Sequence, residues 1–62
     1  MNKHELRAKD YLLHIMEAVN RVLQYTAGVS EAEFFASQLL QDAVVRNVEI
    51  IGESAKNLFT IS

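Results

Sequence analysis

Hydrophobic residues recur every three or four positions along most of this chain, which is the spacing of amphipathic helices. At about 100° per residue, one face of the segment 3–26 collects most of its large apolar side chains. The members of this face are Leu12, Ile15, Met16, Val19, Val22 and Leu23. The pattern predicts a first helix over residues 3–26 that packs through this face, with Gly28 as its left-handed C-cap.

The segment after Gly28 predicts a short helical turn and then a second long helix. Ser30 and Glu33 have the spacing of a capping box, in which each side chain binds the other residue's backbone amide. The longer helix should begin near Ser37 or Gln38 and end near Phe59. The chain has no proline and only two glycines, a composition typical of helical structure. These elements predict an all-α fold, an antiparallel helical hairpin with a short connecting helix.

The second helix is too apolar to be covered by the first helix alone. Its apolar arc covers roughly 240° at about 100° per residue, whereas packing against one partner needs little more than about 100°. Oligomerisation, or helices beyond this segment, must therefore complete the bundle, most simply as a homodimer. We expect that contact to be made by Leu40, Val44, Val48, Ile51, Ala55 and Leu58.

Polar residues on the second helix are the candidates for chemistry. Its remaining arc carries Asp42, Arg46, Glu49, Glu53 and Lys56, which form either a solvated face or the lining of a site. Asn47 lies inside the apolar stripe. It either fixes the register of the helices, as buried asparagine does in coiled coils, or orients a catalytic group. We interpret Gly52 as a close contact between helices.

Composition limits the function further. The chain has 62 residues, no cysteine and a formal net charge of −2. It is therefore one small domain, residues 1–62, without disulfides or thiolate metal sites, and it lacks a strong basic signal for nucleic acid. No apolar run reaches the roughly 18 residues of a membrane span, and the polar N-terminus is unlike a signal peptide. We expect a cytoplasmic protein with no cofactor, metal site or membrane contact.

The run Gln41–Lys56 also resembles a known family. Its sequence, Gln-Asp-Ala-Val-Val-Arg-Asn-Val-Glu-Ile-Ile-Gly-Glu-Ser-Ala-Lys, is similar to the signature of the HepT-like proteins, a branch of the HEPN superfamily. Ser54 stands where the family usually has alanine. The first helix is similar as well, in Asp10-Tyr11-Leu12 and in Tyr25-Thr26-Ala27-Gly28. The resemblance covers nearly the whole chain, and it implies a partial HEPN-type bundle.

The resemblance implies a function that these residues only partly support. HepT-like proteins resemble toxins of toxin–antitoxin pairs: metal-independent endoribonucleases that dimerise and whose partner is a minimal nucleotidyltransferase. Their catalytic signature is an arginine, a spacer of four to six residues and a histidine. Downstream of Arg46 at that spacing lie Ile51, Gly52 and Glu53.

The chain is therefore expected to be inactive by itself, either a fragment or the product of a short gene. RNA would be the substrate only of a full-length relative, and Arg46, Asn47 and Glu49 would be supporting residues. The alternative is a non-enzymatic module for dimerisation or partner binding.

Overall fold

The computed structural model describes residues 2–61, which form three helices joined by short connections. Helix α1 spans Lys3–Thr26, α2 spans Glu31–Ala36 and α3 spans Gln38–Ile61. The expected first helix is confirmed at both ends, while α3 continues two residues past the expected end. No strand occurs within residues 2–61, so the all-α prediction is confirmed.

The two long helices lie side by side as an antiparallel hairpin. Each has 24 residues, a length of about 36 Å at 1.5 Å per residue. The molecule measures 47 × 17 × 13 Å, so it is two helices wide and one helix thick. Within residues 2–61, no helix combines the length and hydropathy that crossing a membrane requires.

A tight turn starts the connection between the hairpin helices. Ala27 has φ −60° and ψ 123°, Gly28 has φ 72°, and the Val29 amide donates to the Thr26 carbonyl at 3.1 Å. These values describe a type II β-turn, whose third residue needs a positive φ. Gly28 thus has the expected left-handed backbone, but in a turn that follows the helix.

The predicted capping box at the start of α2 is confirmed. The Ser30 hydroxyl accepts from the Glu33 amide at 3.1 Å, and the Glu33 carboxylate accepts from the Ser30 amide at 3.3 Å. Two backbone donors at the helix start are thereby satisfied. The capping box fixes the direction in which α2 leaves the turn.

Side chains at the junction tie α2 to α3. The Ser37 amide donates to the Phe34 carbonyl at 3.2 Å, while its hydroxyl accepts from the Leu40 amide at 3.1 Å. The Gln41 side-chain amide donates to the Phe34 and Phe35 carbonyls at 3.1 and 3.0 Å. One residue ends α2 and caps α3, and the next turn of α3 satisfies the last carbonyls of α2.

The seam between α1 and α3 contains small residues. Of residues 2–61, only Ala18, Asn47 and Ser54 are buried, with 0%, 5% and 6% of their surface exposed. Short side chains let the two helix backbones approach each other closely. The seam is therefore a narrow line of contact, and two of its three buried residues are polar.

The expected packing face of α1 is only partly correct. Ile15 and Val22 are half-buried against α3, but four of the six predicted residues remain exposed. The contact follows Ala18, so α1 is rotated by roughly 100° from the orientation that its large apolar residues predict. The exposed fractions are 47% for Leu12, 66% for Met16, 42% for Val19 and 61% for Leu23.

Candidate functional site

Asn47 connects the two long helices through its side-chain amide. Its Nδ2 donates to the Ala43 carbonyl one turn earlier in α3, at 2.8 Å. This bond fixes the orientation of the amide, so that Oδ1 points across the seam and accepts from Nε of Arg21 at 2.6 Å. The expectation of a polar residue inside the apolar stripe is confirmed, and its partner is an arginine of the other helix.

Arg21 is the member of this candidate site that sequence reasoning missed. The pattern assigned it to the solvated side of the first helix, one turn after Glu17. In the structure Arg21 is half-buried and donates to Asn47, and no carboxylate among residues 2–61 lies within ion-pair distance of it. The available signal was that antiparallel packing of the two long helices brings Arg21 opposite Asn47.

The Arg21–Asn47 contact leaves part of the guanidinium available. Only Nε is used, so both terminal nitrogens keep their hydrogen-bond donors. A guanidinium held by one edge presents a planar fork suited to a carboxylate or phosphate oxygen pair. The contact therefore joins the two long helices at one point of the seam.

Arg46 and Glu49, the other predicted supporting residues, lie at the surface. Nη1 of Arg46 is 3.6 Å from Oε2 of Glu49, and both side chains are exposed. An exposed pair of this kind contributes about 0–1 kcal/mol. Neither side chain forms a hydrogen bond or an ion pair with the side chain of Asn47 or Arg21. The structure does not join the three predicted supporting residues into one cluster.

The polar residues nevertheless share one side of the hairpin. Both long helices are right-handed and they run antiparallel. Residues that lie at the same angle from the seam, counted along each chain direction, therefore point toward the same side of the hairpin. Arg21 and His14 of α1, and Arg46 and Glu53 of α3, fall on this polar side. Most of the large exposed apolar residues, among them Met16, Leu23 and Val48, fall on the opposite side, whereas Leu6 and Leu39 fall on the polar side.

Neither histidine approaches an arginine of this site. His14 precedes Arg21 by seven residues, which is roughly 10 Å along the helix axis, and its side chain is exposed. His4 lies further away along the same helix and is also exposed. Within residues 2–61 there is no group of three or more histidine, cysteine or acidic residues placed to hold a metal ion.

The residues expected at the oligomer contact occupy two environments. Most are half-buried along the side of α3 that α1 partly covers, whereas Val48 is 56% exposed. The half-buried members are Leu40, Val44, Ile51, Ala55 and Leu58. Because α1 covers them only in part, they keep apolar surface for a further layer.

Gly52 does not make the close helix contact that was expected within the hairpin. It is exposed, and a Cβ atom built on it would meet no atom within 4 Å. The reason is angular, because Gly52 lies about 140° around α3 from Asn47 at 100° per residue. It faces outward on the apolar side.

An apolar cleft of about 300 Å³ lies where α3 begins. It is open to solvent, and Tyr25, Ser37, Leu39, Leu40 and Ala43 line it. Tyr25 is 41% exposed and Leu39 is 82% exposed. The cleft contains no charged residue, so it is suited to an apolar side chain and offers no group for acid–base chemistry.

Comparison with known proteins identifies the relatives of this chain. A family model described as Ribonuclease HepT-like matches residues 15–61. Over 50 residues, the chain is 52% identical to the "Gamma-glutamylcyclotransferase and putative RNase MJ0434" of Methanocaldococcus jannaschii. The matched region covers 81% of the chain and 22% of that protein. No solved structure shows significant similarity to the chain.

Two further relatives are shorter proteins. The chain is 40% identical over 50 residues to the "Probable ribonuclease HepT" of Thermococcus cleftensis, covering 81% of the chain and 46% of that protein. It is 34% identical over 56 residues to the "Putative RNase MJ1380" of Methanocaldococcus jannaschii, and the match covers 90% of the chain and 50% of that protein. The chain thus spans half or less of the length of each of these relatives.

Proposed function

Because the chain belongs to the HepT-like ribonuclease family, we propose that it is the scaffold half of such a ribonuclease and does not cleave RNA by itself. The observation that carries this proposal is the separation of both histidines from Arg21 and Arg46, the two arginines of the candidate site. Arg21 is bound to Asn47, Arg46 is paired with Glu49, and both histidines are exposed away from them.

The chemistry of metal-free RNA cleavage explains why that separation matters. A group such as histidine must move protons to and from the ribose hydroxyl and the leaving oxygen. A cation must stabilise the charge that develops on the same phosphate. Both groups have to touch one phosphodiester, and roughly 10 Å between turns of one helix prevents this for His14 and Arg21.

In a full-length relative this segment would support catalysis by positioning residues and would not supply the catalytic residues themselves. Asn47 would fix the two helices in register and hold Arg21, and Arg46 and Glu49 would line the polar side near the catalytic residues. The length of the relatives supports this division, since half or more of each lies outside the matched region. RNA is then a substrate of the complete domain.

The proposal includes partners and a location. We place the chain in the cytoplasm, within a toxin–antitoxin system whose second member is a minimal nucleotidyltransferase. The support is the Gln41–Lys56 motif, which resembles toxins of such pairs, and the match to ribonuclease HepT. Self-association is part of the proposal, because two helices leave the apolar arc of α3 incompletely covered.

A second candidate function is a non-enzymatic interaction module. Its support is the number of large apolar side chains at the surface, which suits a chain that works by binding another protein. In that case the chain would bind an intact relative or the nucleotidyltransferase, and its effect would be to alter their activity.

An RNA-cleavage assay tests the main proposal. The purified 62-residue chain is incubated with a fluorogenic single-stranded RNA, with and without EDTA, beside the His14→Ala and His4→Ala variants. We expect all samples to match buffer. Cleavage by the wild-type chain that disappears in His14→Ala would contradict the proposal.

A binding assay separates the two candidates. The gene sequence downstream of Ser62 is read first, and the chain is then mixed with an intact HepT-like ribonuclease and with its nucleotidyltransferase. Continuation of the reading frame into an arginine–spacer–histidine signature would support the scaffold half. A stop codon there, together with inhibition of the intact enzyme by the chain, would support the interaction module.

A further inference from the structure

The apolar cleft at the start of α3 adjoins the Arg21–Asn47 contact on both long helices. On α1, Tyr25 lines the cleft one turn after Arg21. On α3, Ala43 lines the cleft, and its carbonyl accepts from Nδ2 of Asn47 at 2.8 Å. We propose that this cleft binds one base of a single-stranded RNA by stacking on Tyr25, and that Arg21 binds the phosphate of the same nucleotide.

The apolar cleft has the size and the lining that a nucleobase needs. Its volume of about 300 Å³ lies at the lower end of the range for small-molecule sites, about 300–1,000 Å³. Tyr25 supplies an aromatic ring, and leucine and alanine side chains supply apolar walls. Every base has a π-face, so stacking on an aromatic ring tolerates any base sequence. The proposed site is therefore expected to accept each of the four bases.

The Tyr25 side chain is accessible to such a ligand. Its surface is 41% exposed, and its hydroxyl forms no hydrogen bond with another group of residues 2–61. The aromatic contact between Phe34 and Phe35 does not include it. The ring therefore lies beside the cleft and can stack on a base without first leaving another partner.

The spacing of Arg21 and Tyr25 suits one nucleotide. Tyr25 follows Arg21 by four residues, which is about 6 Å along the axis of α1 and about 40° around it. One ribose joins a base to its phosphate, so a single nucleotide can contact both side chains. Because Asn47 binds only Nε of Arg21, the terminal nitrogens remain as donors for phosphate oxygens.

The charges around the cleft favour an anion at Arg21. No carboxylate within residues 2–61 lies at ion-pair distance from Arg21. On α3, Asp42 accepts from a glutamine side chain at 2.8 Å, and Glu49 belongs to an ion pair. Glu17 and Glu53 lie beyond the contact between the helices, on the side away from the cleft. An apolar side chain of a protein partner would fill the cleft and leave the guanidinium without an anion, whereas a nucleotide satisfies both.

The identification of the ligand as RNA rests on the proposed function, because the chain belongs to a ribonuclease family. The formal net charge is −2, so the chain has no extended basic groove along which a phosphate backbone could lie. Binding is therefore expected to be weak, to depend on the stacked base and to involve about one phosphate.

RNA binding by the 62-residue chain tests the cleft. Fluorescence anisotropy of labelled hexauridylate is measured against chain concentration, at several salt concentrations. We expect Tyr25→Leu, which keeps an apolar wall, to bind at least fivefold more weakly because the stacked base is lost. Its salt dependence should not change, since the phosphate contact remains. Tyr25→Phe should bind within threefold of the wild type.

Arg21→Gln tests the phosphate contact. Glutamine keeps an N–H donor for Asn47 but removes the charge, so we expect at least fivefold weaker binding. The slope of log affinity against log salt concentration should become shallower by about 0.7, the contribution of one phosphate on a single strand. Arg21→Lys keeps the charge and should keep the slope, a readout that altered helix packing would not move.

Tyr11→Leu and Arg7→Gln are the matched controls. Both residues lie on α1, ten or more residues before Arg21, and neither lines the cleft. Each substitution makes the same chemical change as its counterpart at the site and should alter the affinity less than threefold. Circular dichroism checks helicity in each variant.

Three results would overturn the inference. Absence of RNA binding by the wild-type chain at low salt would leave the cleft to a protein side chain. Equal losses in the site variants and the controls would place the RNA elsewhere on the chain, and an unchanged slope in Arg21→Gln would reject the phosphate contact. None of these results bears on the proposed lack of cleavage. Cleavage of hexauridylate by the wild type would contradict the proposed function and not this site.

Discussion

The seam between α1 and α3 and the outer apolar face differ in the size and polarity of their residues. The outer apolar face consists of six exposed residues on the apolar side of the hairpin, Leu12, Met16, Val19, Leu23, Val45 and Val48. The seam buries Ala18, Asn47 and Ser54, whereas the outer face exposes leucine, methionine and valine side chains at 42–66% of their surface. The seam therefore specifies how the two helices meet, through one hydrogen-bonded contact. The hydrophobic volume that could stabilise the fold lies on the other surface.

The energetic contrast follows from side-chain size. Fully burying a valine, leucine or methionine side chain is worth about 1.5–3 kcal/mol. Ala18 offers only one methyl group, and the polar seam residues need hydrogen bonds to offset their desolvation. A chain of 62 residues without cysteine rarely gains enough from such a seam alone. Covering the outer face is the larger source of stability.

The sharpest way to break the seam is Asn47→Ala. The change removes the acceptor of Arg21 Nε and the donor to the Ala43 carbonyl. We expect a loss of about 2 kcal/mol in the free energy of unfolding, the usual range for leaving a part-buried charged group without its partner. Urea denaturation at a fixed chain concentration measures it.

Asn20→Ala is the control for that substitution, because Asn20 is exposed on α1. Its effect should stay within about 0.5 kcal/mol, as for most surface changes. An equal loss in both variants would show that the Arg21–Asn47 contact contributes no specific stability.

Enlarging a seam residue tests whether close approach matters. Ala18→Leu adds three carbon atoms at a fully buried position. We expect the free energy of unfolding to fall by about 1.5 kcal/mol, because the larger side chain displaces the helices as in other overpacked cores. Thermal unfolding followed by circular dichroism measures it. Ala32→Leu, at an exposed position of α2, should leave the melting temperature nearly unchanged. A stabilised Ala18→Leu hairpin would mean that the seam is loosely packed.

Gly52→Ala gives the smallest expected effect, and it concerns the outer side. Nothing within 4 Å obstructs the added methyl group, so the gain in helix propensity, about 0.8 kcal/mol, should stabilise the hairpin. Chemical denaturation and sedimentation together measure the two consequences. Weaker association despite a more stable hairpin would indicate that a second copy approaches α3 closely at Gly52.

The helices and their junction were predictable from sequence because their signals are local. The periodicity of α1, the capping box at Ser30 and Glu33, and the positive φ of Gly28 each depend on residues within one or two turns. The rotation of α1 was not predictable in this way. Periodicity identified an apolar face but could not assign it to the contact with α3 or to the outer surface.

The candidate site was predictable in part for the same reason. Asn47 was conspicuous as a polar residue inside an apolar stripe, and the structure buries it. Its partner Arg21 is 26 residues away, and only the antiparallel register brings the two together. The family motif singles out Arg46 and Glu49, which are adjacent on one helix and form only an exposed ion pair.

The 13 Å thickness of the hairpin has a consequence for hydrogen exchange. A hairpin one helix thick has two exposed faces and buries only the narrow seam between its helices, so most backbone amides of α1 and α3 lie near water. Most amides of α1 and α3 should then exchange their hydrogens at similar rates through local opening, because no group of them belongs to a more protected unit. Slow exchange confined to the backbone amides near Met16, Val19 and Val48 would indicate that a second layer of helices covers this side of the hairpin.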